Sequence, residues 1–131
     1  MQNVPAGTLV VVADGTKARM FLNVGDGTTV SLRQHEMMAA DEIPLQGPSG
    51  IAPTQQTPQD NDERTFAKHL AQKLNDGALK QEYAHLVLVA DPSTLGEMRP
   101  QLHKETQQRL IGEVAKTLTN ATLQDIERAL H

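Results

Sequence analysis

The sequence has no cysteine, no tryptophan, one tyrosine and two phenylalanines. Without cysteine, disulfides, zinc-thiolate sites and thiol nucleophiles are excluded together, although this alone does not fix the compartment. An aromatic share of 2% leaves few platforms on which a base or sugar could stack, so aromatic-lined ligand sites are not expected. Basic residues are not in excess either. Lys and Arg number 12 against 16 Asp and Glu, a formal charge of -4, so no global field gathers nucleic acid or anionic lipid, and any RNA contact would be local. No apolar run approaches the roughly 20 residues of a membrane span. The opening MQNVPAGTLVVVADG lacks a basic leader, and its apolar run is interrupted at Asp14 before reaching signal-peptide length, so the chain is expected to be cytoplasmic.

What is present fits one domain over residues 1–131, long enough for a single core. With 38% hydrophobic residues and almost no aromatics, that core must be built from Val, Leu, Ile, Ala and Met. Residues 8–13 are β-branched and continuously apolar, as expected for a strand covered on both faces. Residues 17–22 alternate in part, and Gly25-Asp26-Gly27 turns the chain into residues 28–38, which read as a third strand. Residues 43–61, IPLQGPSGIAPTQQTPQDN, have few apolar anchors and read as a flexible loop. Beyond it Phe66, Ala67, Leu70, Ala71 and Leu74 recur at helical spacing until Asn75-Asp76-Gly77, where the helix is expected to break or end, residues 78–83 being a candidate for its resumption.

Residues 86–90 repeat the pattern of the first strand. Thr94 and Glu97 have the spacing of a capping box, and Pro100 should kink or restart the helix they begin. Residues 109–119 fit a strand and a helix alike, a strand at residues 110–114 being the favoured reading, and Thr122 with Asp125 reads as the cap of a terminal helix that buries Ile126 and Leu130. The expectation is an α/β fold with a single mixed sheet of about five strands, an antiparallel meander plus parallel strands, flanked by helices. A right-handed crossover would set the strand at residues 86–90 parallel to and beside that at residues 8–13. Asp14 and Asp91 would then share one edge of the sheet.

Two carboxylates at the ends of neighbouring parallel strands, Asp14 and Asp91, could hold Mg²⁺ and activate water against a phosphodiester, and the likeness to ribonuclease H-like enzymes would add a third carboxylate from the first helix, where Glu63 is available. Asp14-Gly15-Thr16 has the D-G-[ST] form found in ribonuclease H-like enzymes. The simpler reading makes Asp14-Gly15 a hairpin turn and Asp91-Pro92-Ser93 the lead into a helix, with no catalytic residue and no metal. His35, His69, His85, His103 and His131 form no H-x-x-x-H pair, and no serine lies in a G-x-S-x-G setting. Asn120-Ala121-Thr122 matches a glycosylation sequon but reads as a helix lead-in. Lys17 and Arg19 share a strand face, and Arg99 and Lys104 lie near the second helix, so a small basic contact site is a further candidate beside the simpler reading of solvated surface charge.

The pair VVVADGTKARMFL and LVLVADPSTLGEMRPQL, with FAKHLAQKL between them, resembles the bacterial host attachment proteins, the family of proteins required for attachment to host cells. The motifs that carry it are Ala13-Asp14-Gly15-Thr16-Lys17-Ala18-Arg19 and Leu95-Gly96-Glu97-Met98-Arg99. That family is similar in turn to the central domain of archaeal and eukaryotic class I release factors. The resemblance implies a ribonuclease H-like sheet and, before the first long helix, a loop that in release factors carries Gly-Gly-Gln into the peptidyl transferase centre. Here the segment reads Gln46-Gly47-Pro48-Ser49-Gly50. Gly-Gly-Gln is absent, so peptidyl-tRNA hydrolysis does not carry over.

The expected function is a non-catalytic cytoplasmic interaction module, RNA- or ribosome-associated, that affects host attachment indirectly. Lys17, Arg19, Gln46, Gly47 and Arg99 are its contact residues, its partner is a protein or ribonucleoprotein, and no cofactor is implied. The alternative is a Mg²⁺-dependent ribonuclease H-like nuclease using Asp14, Asp91 and Glu63.

Overall fold

The computed structural model describes residues 4–25, 29–39 and 58–130, with the backbone alone for 58–63. β1 (Leu9–Ala13) and β4 (Leu86–Ala90) lie side by side in parallel, Leu9 facing Leu86 and Ala13 facing Ala90. Every residue of both strands is buried, as their unbroken apolarity requires. β2 (Lys17–Asn23) pairs antiparallel with β1, β3 (Leu32–Ala39) antiparallel with β2, and β5 (Leu110–Val114) parallel with β4. The sheet order is β3-β2-β1-β4-β5. This is the expected mixed sheet of five strands.

The alternation of side chains along β1 divides the core in two. Leu9, Val11 and Ala13, with Leu86, Leu88 and Ala90, face α1 (Pro58–Leu79), α2 (Pro92–Met98) and the segment leading to α3 (Lys104–Arg109). Val10 and Val12, with Val87 and Val89, face Val4, Phe21 and the terminal helix α4 (Leu123–Ala129). Among the described residues, two helices and the segment leading to α3 therefore cover one face, while α4 and its lead-in cover the other. None of these helices is long and apolar enough to cross a membrane.

Four sequence expectations are corrected. α1 does not break at Asn75-Asp76-Gly77 but runs to Leu79. The Asn75 side chain there donates to the Gln101 carbonyl and accepts from the His103 amide and the Thr106 hydroxyl, so a residue that disfavours helix interiors is compensated by tertiary bonds. At Gly77 an added Cβ would meet the Tyr83 ring at 3.0 Å, which explains glycine where the ring packs against the helix. The helix does not resume over 78–83. Gln81 turns left-handed at φ 57°, its amide bonds the Ala78 carbonyl and the Glu82 amide bonds that of Gly77, closing a Schellman motif.

The third strand starts at Leu32 rather than at 28; the Ser31 amide just before it is taken by the buried Asn23 carboxamide, which also accepts from the Gly25 amide. Residues 26–28, including Asp26 and Gly27 of the expected turn, lie outside the described residues. Of the loop expected at 43–61, residues 43–57 lie outside the described residues and 58–61 already belong to α1. Pro100 falls in a 3₁₀ turn, Arg99–Gln101, between α2 and α3, and so interrupts the helix as its missing amide proton dictates.

Candidate functional site

The parallel pairing of Ala13 with Ala90 brings Asp14 and Asp91 out at the same edge of the sheet. Their side chains do different things. Asp14 Oδ1 accepts from the Thr16 amide at 2.7 Å, the Thr16 hydroxyl at 2.8 Å and the Lys17 amide at 2.9 Å, closing the tight β1–β2 turn. Its Oδ2 accepts from the hydroxyl of Thr119, 105 residues away, at 2.6 Å. Burial alone would raise the Asp14 carboxyl, but the bonds from Thr119, Thr16 and Lys17 outweigh it and hold the group below its ordinary value.

Asp91 caps α2. Its Oδ2 accepts from the Thr94 amide at 3.0 Å and its Oδ1 from the Thr94 hydroxyl at 2.7 Å, with Pro92 opening the helix. The cap is therefore Asp91 rather than Thr94, and the expected capping box with Glu97 does not form: Thr94 serves as donor inside the first turn. Glu63 lies in α1, where only the backbone is described. Among the described residues no three His, Asp or Glu side chains gather closely enough to hold a metal ion.

The basic residues divide between the two faces. Arg19 stands opposite Val12 on β1 and points to the α4 side, where its guanidinium lies 5.0 Å from the centroid of Phe21. Its Nη1 donates to the carbonyls of Ala121 at 2.8 Å and Thr119 at 3.3 Å. Lys17 points the same way and donates to Asn120 Oδ1 at 2.5 Å. Asp14, Lys17 and Arg19 together clasp residues 119–121, the lead-in to α4. Arg99 is on the other face. It forks onto Glu113 of β5, Nη2 to Oε1 at 2.9 Å and Nε to Oε2 at 3.2 Å, and Glu113 is paired with Leu88 on the side of α1 and α2. Lys17 and Arg19 thus form one site and Arg99 another. Gln46 and Gly47 lie outside the described residues.

Thr119 and Asn120, which complete the clasp, escaped the sequence reading. A Thr- and Asn-rich connection reads as loop, and nothing in it signals a tie across 105 residues.

An antiparallel meander continued by two parallel strands, with helices on both faces and the turn of the first hairpin tied to the chain end, defines an α/β domain of the release-factor type. The model of the bacterial archaeo-eukaryotic release factor family 12 matches residues 7–130, and the chain belongs to that family. No curated protein matches it.

Proposed function

We propose that the protein is a non-catalytic interaction module working in the cytoplasm on a ribonucleoprotein, the ribosome foremost, and that any effect on attachment to host cells follows indirectly. The observation that carries this reading is the use made of Asp14 and Asp91. All four carboxylate oxygens accept hydrogen bonds from a turn, a helix cap or Thr119. Asp14 Oδ1, with three donors, has no lone pair left for an ion, and each of the other three oxygens already spends one of its two lone pairs on a structural bond. Membership of a release-factor family supports a translational setting, and the missing Gly-Gly-Gln argues for docking without peptidyl-tRNA hydrolysis. The contacts in this reading are residues 43–61, with Gln46 and Gly47, and the cations Lys17, Arg19 and Arg99. Deleting residues 47–55 should leave the fold intact by circular dichroism and abolish co-sedimentation with ribosomes from the native cell; unchanged co-sedimentation would count against the loop.

A second reading has one geometric observation in its favour: the parallel register of β1 and β4 sets Asp14 and Asp91 at neighbouring strand ends. That is the placement a Mg²⁺-dependent, ribonuclease H-like nuclease would need, with Glu63 as a third carboxylate. Incubation with labelled RNA and RNA-DNA hybrids in Mg²⁺ or Mn²⁺ separates the two. Metal-dependent cleavage abolished by Asp14→Asn would establish the enzyme, and no cleavage removes it.

A further inference from the structure

Four of the six arginines, Arg64, Arg99, Arg109 and Arg128, lie within 4.0 Å of a carboxylate. Arg19 is half-buried yet has none among the described residues. It is fixed through Nη1 to two carbonyls and by its stacking near Phe21, while Nε and Nη2, the edge by which a guanidinium grips a carboxylate in two parallel bonds, have no partner among the described residues. Lys17, two residues away on the same strand face, spends one of its three donors on Asn120 and has no acidic partner among the described residues either.

The apolar surface around this pair is also unusual. Met37 is the cross-strand partner of Arg19 on β3, on the face away from Met38 and α1, and it is 57% exposed. Leu123, the first residue of α4 and two residues beyond the carbonyl that Arg19 holds, is exposed as well. The row Val89, Val12, Arg19, Met37 therefore passes from full burial to open surface on β3, whose start at Leu32 bonds Glu127 of α4 and packs with Ile126 and Leu130 while Met37 is outside that cluster.

We propose that this face, Lys17 and Arg19 flanked by Met37 and Leu123, is the docking site for an acidic, aliphatic peptide segment of a protein partner. Charge complementarity selects the occupant. The guanidinium is preorganised and unpaired, so a partner carboxylate gains a bidentate contact without ordering a mobile side chain. The thioether of Met37 accommodates aliphatic side chains of varied shape. RNA fits less well, since all three aromatic side chains, Phe21, Phe66 and Tyr83, are buried and give bases nothing to stack on. This rests on the module reading and names the chemistry of its partner.

The test is an amide chemical-shift titration of the full chain. The probes are a ten-residue peptide of mixed Glu and Leu, the same pattern with Lys for Glu, and an oligouridylate of similar length. Shifts should centre on Lys17, Arg19, Met37 and Leu123 with the acidic peptide alone. Met37→Glu, at an exposed position, should weaken its binding at least fivefold, while Val24→Glu, at an equally exposed residue elsewhere (58%), should leave it unchanged. The proposal is overturned by equal binding of the basic peptide, by oligouridylate shifting the same amides, or by no response at millimolar peptide. Ribosome co-sedimentation is scored separately. Its loss from the wild type with peptide binding intact would sink the ribosomal setting alone, and its persistence without peptide binding would sink this site alone.

Discussion

Asp14 and Asp91 end two strands of nearly identical sequence, LVVVA and LVLVA, yet they hold together different extents of the molecule. Asp91 acts within three residues, closing the first turn of α2 onto Thr94. Asp14 closes its own turn and also reaches Thr119, so it couples the first hairpin to the start of α4. The strand fixes where a carboxylate emerges, and the chain that follows decides whether it serves locally or across the fold.

The comparison breaks most readily at Asp14. Asp14→Ala removes the acceptor of four hydrogen bonds and strands the Thr119 hydroxyl, whose residue is only 3% exposed. A loss of about 2–3 kcal/mol is expected in urea unfolding. Asp91→Ala removes one helix cap and should cost about 1 kcal/mol. Equal losses would mean that the tie to Thr119 contributes nothing.

Replacing the two hydroxyl donors sharpens the point with smaller effects. Thr119→Val should cost about 1 kcal/mol, and its effect should largely vanish in an Asp14→Ala background, where the acceptor is already gone. Thr94→Val, which leaves the capping amide bond to Asp91 in place, should cost less than Thr119→Val. The double-mutant cycle between positions 14 and 119 measures the coupling directly.

What could be read from the sequence follows the same division between local and distant. β1 and β4 were legible because a short, continuously apolar run needs no other information to be a buried strand, whereas β5, LIGEV, is half-exposed and its pattern fits a helix as well. The parallel neighbourhood of β1 and β4 followed from the handedness of crossovers. Thr122 was legible as the cap of α4, which accepts from the Asp125 amide three residues on. The continuity of α1 was not, since it depends on Asn75 meeting Gln101, His103 and Thr106 and on Gly77 admitting the Tyr83 ring. In the candidate site, Lys17 and Arg19 were correctly placed on one strand face by period-two alternation. Arg99 could not be assigned to the opposite face without knowing that α2 and Glu113 lie on the α1 side.

The smallest effect separates the aspartates by pH. The folded-state pKa of Asp14 lies below its ordinary 3.8 because hydrogen bonds to the ionised carboxylate outweigh its burial. A carboxyl depressed on folding contributes stability that is fully present above the unfolded value, and that contribution fades as pH falls through the lower folded value. The urea midpoint of the wild type should therefore exceed that of Asp14→Asn at pH 6, and the gap should narrow as pH drops below about 4. The same gap for Thr119→Val against Thr119→Val with Asp14→Asn should be smaller at pH 6 and narrow less, because the strongest of the bonds that lower the Asp14 pKa is already missing. A gap that widens in acid would reverse the sign of the linkage and show that burial, not hydrogen bonding, governs the ionisation of Asp14.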